Sequence, residues 1–107
     1  NTQLGSYCII NAGHGVFIGA QCWFAAFVYV NSSDHAFAAG QPICSQGFVG
    51  APIVIGDDNW IGGHVFISKG VTTGRGVVLG AGTILTKDAP ADAIMVGNPG
   101  RLLRYRT

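Results

Sequence analysis

From Ile55 onward the chain repeats in sixes. Ile55, Ile61, Ile67, Leu79 and Leu85, with Thr73 in the remaining slot, open successive hexads, and Gly56, Gly62, Gly74 and Gly80 fill four of the second positions. The fifth positions, Asn59, Val65, Val71, Val77 and Thr83, are small or β-branched and suit a strand facing a narrow interior. A period of six is not helical, because 3.6 residues per turn would scatter these side chains around the surface. It fits a coil of three short sides in which each aliphatic residue stacks on its equivalent one coil later.

The same step is read earlier in Ala12-Gly13, Ile18-Gly19, Phe24-Ala25 and Val30, with Val16, Cys22 and Val28 in the fifth slot. Between Val30 and Ile55 the phase breaks, so residues 31–50 are predicted to leave the coil as an extruded loop. Residues 89–107 drop the repeat and are predicted to cap it, because unpaired strand edges at the end of a solenoid need cover. The expected architecture is all-β, a triangular parallel solenoid in one domain over 1–107, with coils over about 1–30 and 51–88. Glycine is expected at the corners, where a small side chain and positive φ are both easy for it. About five coils at roughly 4.8 Å each make a prism on the order of 25 Å long.

Composition narrows this picture further. Of 107 residues, 49% are hydrophobic, 10% are charged and 17 are Gly, which suits short apolar segments with frequent turns and argues against a helical bundle. The net charge of +1 gives no broad basic field, so nucleic acid is not an expected partner. The six Lys and Arg nonetheless all lie beyond residue 68. No apolar run approaches the roughly 18 residues of a membrane span, and no charged-then-apolar signal segment is seen. Cys8, Cys22 and Cys44 form no CxxC pair or zinc-type spacing, which fits a reducing cytoplasm and gives no reason to expect a metal. The chain opens at Asn1 without Met, and a preceding region is expected.

The hexads, together with Asn59-Trp60-Ile61-Gly62-Gly63, the run from Gly80 through Ala81, Thr86 and Lys87 to Asp88, and Gly97-Asn98-Pro99-Gly100-Arg101, closely resemble the hexapeptide-repeat acyltransferases. The likeness is nearest to sugar O-acetyltransferases of the maltose/galactoside and polysaccharide type, and is strongest over 51–104. It implies a left-handed parallel β-helix, a hand that departs from the usual right-handed crossover. It also implies acetyl-CoA as acyl donor, a saccharide or other small-molecule hydroxyl as acceptor, no metal, and a homotrimer with the donor lying between neighbours. Some positions depart from the family pattern. Ser68-Lys69-Gly70 stands where members often have Pro before the Gly, Thr73 stands in an aliphatic slot, and Gly100 replaces a usual Ala. Lys69 and Arg106 receive no role.

Acyl transfer to a hydroxyl needs a base and a donor for the developing oxyanion. His14 and His64 fall in regular hexads, where a corner residue needs no function. His35 ends the polar run Asn31-Ser32-Ser33-Asp34-His35 where the repeat lapses, and functional residues concentrate in such loops. The resemblance implies His35 as general base, Trp60 at the acceptor and the Gly63 backbone N–H facing the thioester oxygen. A base needs a partner on its other nitrogen, which makes the adjacent Asp34 a candidate orienter, and Asn31 is a further candidate at the acceptor. The resemblance places Gly63, Ala81, Thr86, Lys87, Arg101 and Arg104 along the donor, the basic residues toward its phosphates. Trp60, in a sixth slot, is expected outward at a corner. Two rival readings remain open: a non-enzymatic or degenerate solenoid, and a metal lyase of the γ-carbonic anhydrase kind, although no HxxxxH pair is present.

Overall fold

Aliphatic residues six apart turn inward on one continuous coil in the computed structural model, which describes residues 1–107. Side A is formed by β1 (Gln3–Leu4), β4 (Trp23–Phe24), β9 (Trp60–Ile61), β12 (Val78–Leu79) and β14 (Ala93–Val96), stacked in that order. Side B comprises β2 (Ile9–Asn11), β5 (Tyr29–Asn31), β10 (Phe66–Ile67) and β13 (Ile84–Leu85). Side C comprises β3 (Val16–Ile18), β8 (Ile53–Ile55) and β11 (Thr72–Thr73), and is extended by a parallel bridge from Thr73 to Ala89. All these pairings are parallel, and the register puts Ile61 on Leu79, Ile67 on Leu85 and Ile55 on Thr73, as the hexads predict. No helix of the chain is long and apolar enough to cross a membrane.

The interior is a column of sixteen buried apolar side chains. All five of the fifth-slot residues from Asn59 to Thr83 are buried. The polar residues among them are satisfied by one another and by the backbone. Thr73 Oγ1 donates to Asn59 Oδ1 at 2.6 Å, and Asn59 Nδ2 donates to the carbonyls of Asp57 and Gly74 at 3.0 and 2.9 Å. Thr73 therefore occupies an aliphatic slot without leaving a polar atom unpaired.

Glycine has two distinct roles at the corners. At second-slot Gly62 an added Cβ would stand 2.7 Å from Ala81 N and 2.8 Å from Leu79 O, so glycine lets consecutive coils close up. Positive φ belongs instead to the fourth slot, and there it is mostly not glycine. Tyr7, Gln21, Phe27, Asp58, His64 and Asp92 adopt φ of 57–62°, with Gly70, Gly76 and Gly82 at equivalent turns. A left-handed conformation costs a non-glycine residue about 1–2 kcal/mol, which the stacking of each coil on the next offsets.

Two boundaries differ from the sequence reading. Ile10, not Ala12, occupies the interior position of the first side B, in register with Val30, while Ala12 is exposed. The turn from Ile10 to Ile18 is two residues longer than a hexad, and a repeat read backwards from Ile18 cannot detect that. At the other end, residues 89–96 do not leave the prism: Met95 stacks on Leu79 with a spacing of sixteen rather than eighteen. The coil thus continues through β14, and only β15 (Arg101–Tyr105) breaks the pattern, pairing antiparallel with β14.

Residues 31–50 contain an antiparallel ladder, β6 (Ser33–His35) against β7 (Phe48–Gly50), with a short 3₁₀ turn at Ile43–Ser45. From Phe37 to Val49 every residue except Gln46 is exposed. The Gln46 side chain zips the hairpin internally, accepting from Ala38 N at 2.7 Å and donating to the carbonyls of Ala38 and Gln41.

Candidate active site

Side B runs between two corners that carry the candidate chemistry. At corner A–B, which precedes side B, the fourth-slot rings of Tyr7, Phe27 and His64 stack along the prism axis. Their centroids are 5.2 and 4.9 Å apart, with interplanar angles of 7° and 13°. Beside this ladder run the third-slot residues Ala26, Gly63 and Ala81, none bearing more than a methyl group. Their backbone N–H groups donate to no other group of the chain. The corner therefore presents a strip of free amide donors, with Gly63 the most open to close approach.

Corner B–C, which follows side B, holds the hairpin and the exposed Thr86 and Lys87. His35 is exposed, and its ring tilts against Phe48 at 4.9 Å and 32°. Gly63 and His35 thus lie at opposite edges of the same face, a strand of about five residues or roughly 15 Å apart.

The other expected site residues distribute as follows. Asp34 does not orient His35. Its Oδ1 accepts from Asn31 Nδ2 at 3.0 Å and its Oδ2 from Lys69 Nζ at 2.7 Å, because adjacent residues of a strand face opposite ways. Nor does Asn31 present itself to an acceptor: it is 9% exposed, and its Oδ1 accepts from Ser33 N at 3.2 Å. Trp60 stands on the flat of side A rather than at a corner, in register with Trp23, and both indoles are exposed. They share an open cavity of ≈ 640 Å³ with Asp58, Arg75 and Arg106, which includes neither His35 nor Gly63.

Of the six cations, Lys69, Arg75 and Arg106 each have a carboxylate partner within 4 Å, while Lys87, Arg101 and Arg104 have none. Arg101 sits opposite Val96 at the end of side A, next to corner A–B, and Lys87 lies on corner B–C. Unneutralised cations beside free amide donors suit a phosphate-bearing ligand. The His14 backbone N–H donates to Ser32 Oγ, and His64 belongs to the aromatic ladder. Sequence reasoning missed Lys69 and Trp23. A lysine in a corner slot and a tryptophan on a strand carry no signal until the coil places Asp34 beside one and Trp60 beside the other.

Residues 52–87 match the model of the "Hexapeptide repeat of succinyl-transferase" family. Over 97% of its length the chain is 41% identical to a "Putative acetyltransferase" of Staphylococcus aureus (strain COL), covering 55% of that protein. Residues 52–87 thus carry the hexapeptide repeat, and the chain along nearly its whole length is similar to acetyltransferases. A solved hexapeptide-repeat acetyltransferase of Vibrio cholerae, complexed with acetyl coenzyme A, superposes on 99% of this hexapeptide-repeat chain. It does so with a TM-score of 0.91 and 29% identity, over 57% of its own length. A galactoside acetyltransferase in complex with coenzyme A matches 97% of the chain with a TM-score of 0.85 and 32% identity, over 55% of its length. The coil is accordingly the left-handed parallel β-helix. The chain spans about half the length of the curated relatives it matches.

Proposed function

We propose that this chain is the β-helical part of an acetyl-CoA-dependent O-acetyltransferase acting on a hydroxyl of a sugar or polysaccharide precursor in the cytoplasm. The observation that carries this reading is the division of the site between two corners. Trp60, Gly63, Ala81 and Arg101 belong to side A and corner A–B, while His35, Thr86 and Lys87 belong to corner B–C. One chain holds both halves but keeps them apart. Setting corner B–C of one copy against corner A–B of the next joins them. Such a contact is heterologous and closes into a ring, and a triangular prism suits three copies.

At the joined site the His35 imidazole takes the proton of the acceptor hydroxyl as its oxygen attacks the thioester carbonyl. The Gly63 N–H of the neighbouring copy donates to the carbonyl oxygen as it gains negative charge. His35 then returns the proton to the departing thiolate, so the acetyl ester and the free thiol are the products. Trp60 and Trp23 offer an apolar wall of the kind a sugar ring packs against.

The test is complementation between dead chains. His35→Ala removes the base. Gly63→Leu covers the amide strip, although its Cβ has room, 3.4 Å from Ala26 O. Each variant alone should assemble and be inactive, and activity should return when the two are refolded together. Verified mixed trimers without activity would show that the two corners do not form one site. The donor half has its own check: Lys87→Ala and Arg101→Ala should weaken coenzyme A binding while sparing pantetheine-only donors, measured by calorimetry. Equal losses for both donor types would remove these residues from the phosphates.

A further inference from the structure

The side chain that reaches the hairpin from the next coil is Lys69, and it enters none of the chemistry above. Its Nζ lies 2.7 Å from Asp34 Oδ2. Asp34 Oδ1 in turn accepts from Asn31 Nδ2, and Asn31 Oδ1 accepts from the Ser33 N–H, so residues 31, 33 and 34 form a closed set of bonds anchored from above by the ammonium. From below, Ser32 Oγ donates to Asn11 O at 2.8 Å and accepts from His14 N at 3.0 Å. The point where the chain leaves the prism is thus gripped by the coils on both sides. Beyond it, the hairpin is bonded chiefly to itself through Gln46 and the ladder.

We propose that Lys69 is a positioning residue for His35: by holding Asp34 it fixes β6 and so aims the imidazole that the next residue carries. The proposal rests on the reading of His35 as the base. Because Asp34 faces Lys69, His35 leaves the strand on the other side, where Phe48 supports its ring. A half-exposed ion pair adds little to global stability, so cutting it should loosen the aim without unfolding the coil. Misplacement of a catalytic group by an ångström is enough to slow turnover greatly.

Lys69→Met keeps most of the stem and removes the charge. In the intact chain it should weaken the His35–Phe48 ring contact seen by NMR and speed amide exchange across Ser33–His35. It should also lower kcat about tenfold with little change in donor KM, while thermal melting stays near the parent. Lys69→Arg should restore all of these. Asp34→Asn, which removes the same pair from its other end, should reproduce the Lys69→Met pattern, and the double variant should be no worse than the poorer single. A folded Lys69→Met chain with the ring contact and kcat intact overturns the proposal, as does failure of Lys69→Arg to restore them. If the parent chain transfers no acetyl group, kcat drops out as a readout. The ring contact and exchange rates then still decide whether Lys69 positions the strand.

Discussion

Replacing His35 with alanine should lower turnover by about a hundredfold or more while leaving donor affinity nearly unchanged. General-base assistance is typically worth about 10²–10⁴ and is felt only in the transition state. The structure makes this a clean substitution. His35 is exposed, its side chain forms no hydrogen bond, and its aromatic contact is with Phe48 on the same hairpin, outside the stacked core. Melting and sedimentation of the variant should match the parent, so any loss would be one of chemistry. Initial rates with an accepted sugar and saturating acetyl-CoA measure it. A variant that sediments like the parent and works at close to its rate would move the search to His64, the imidazole beside the amide strip.

The largest expected effect on stability lies at Ile61. Its side chain is fully buried and held in register between Phe24 and Leu79, at the middle of the side A stack. Truncation to alanine removes apolar contacts to both neighbouring coils. The coils cannot collapse onto the gap, because their spacing is set by the parallel ladders on three sides. Ile61→Ala should therefore cost about 2–5 kcal/mol in denaturant unfolding. Thr72→Ala, on the exposed face of side C, should stay within about 0.5 kcal/mol. A loss at Ile61 no greater than at Thr72 would mean that the aliphatic column does not hold the coils together.

The fold was readable from residues 55–85 because a six-residue side has one inward aliphatic and one fifth-slot residue, so side-chain chemistry reports phase directly. It was less readable where the sides change length. Ala12 and Ile10 are both apolar enough to be inward, and only pairing with Val30 decides for Ile10. Ala93 and Met95 continue the coil out of phase with the hexads, which a fixed period hides. Of the two reasons for glycine at a corner, the absent side chain is the one that applies at Gly62, where the next coil comes close, and not φ.

The candidate site divides in the same way. The polar run that breaks the hexads singles out His35, and the late basic residues stand out as a group, because both are facts about order along the chain. Which of those cations are free, and what Asp34 faces, depend on residues brought together from far apart. Lys69 reaches Asp34 across 35 positions of sequence, and Arg106 reaches Asp58 across 48. Period and composition by themselves determined the triangular coil, its interior and the place where a loop leaves it, because each follows from how residues six apart must share one inward direction. Only the tertiary structure decided that Asp34 belongs to Lys69 and not to His35, and that His35 and the amide strip stand on different corners, because contacts between coils depend on which side chains the stacking sets one above another.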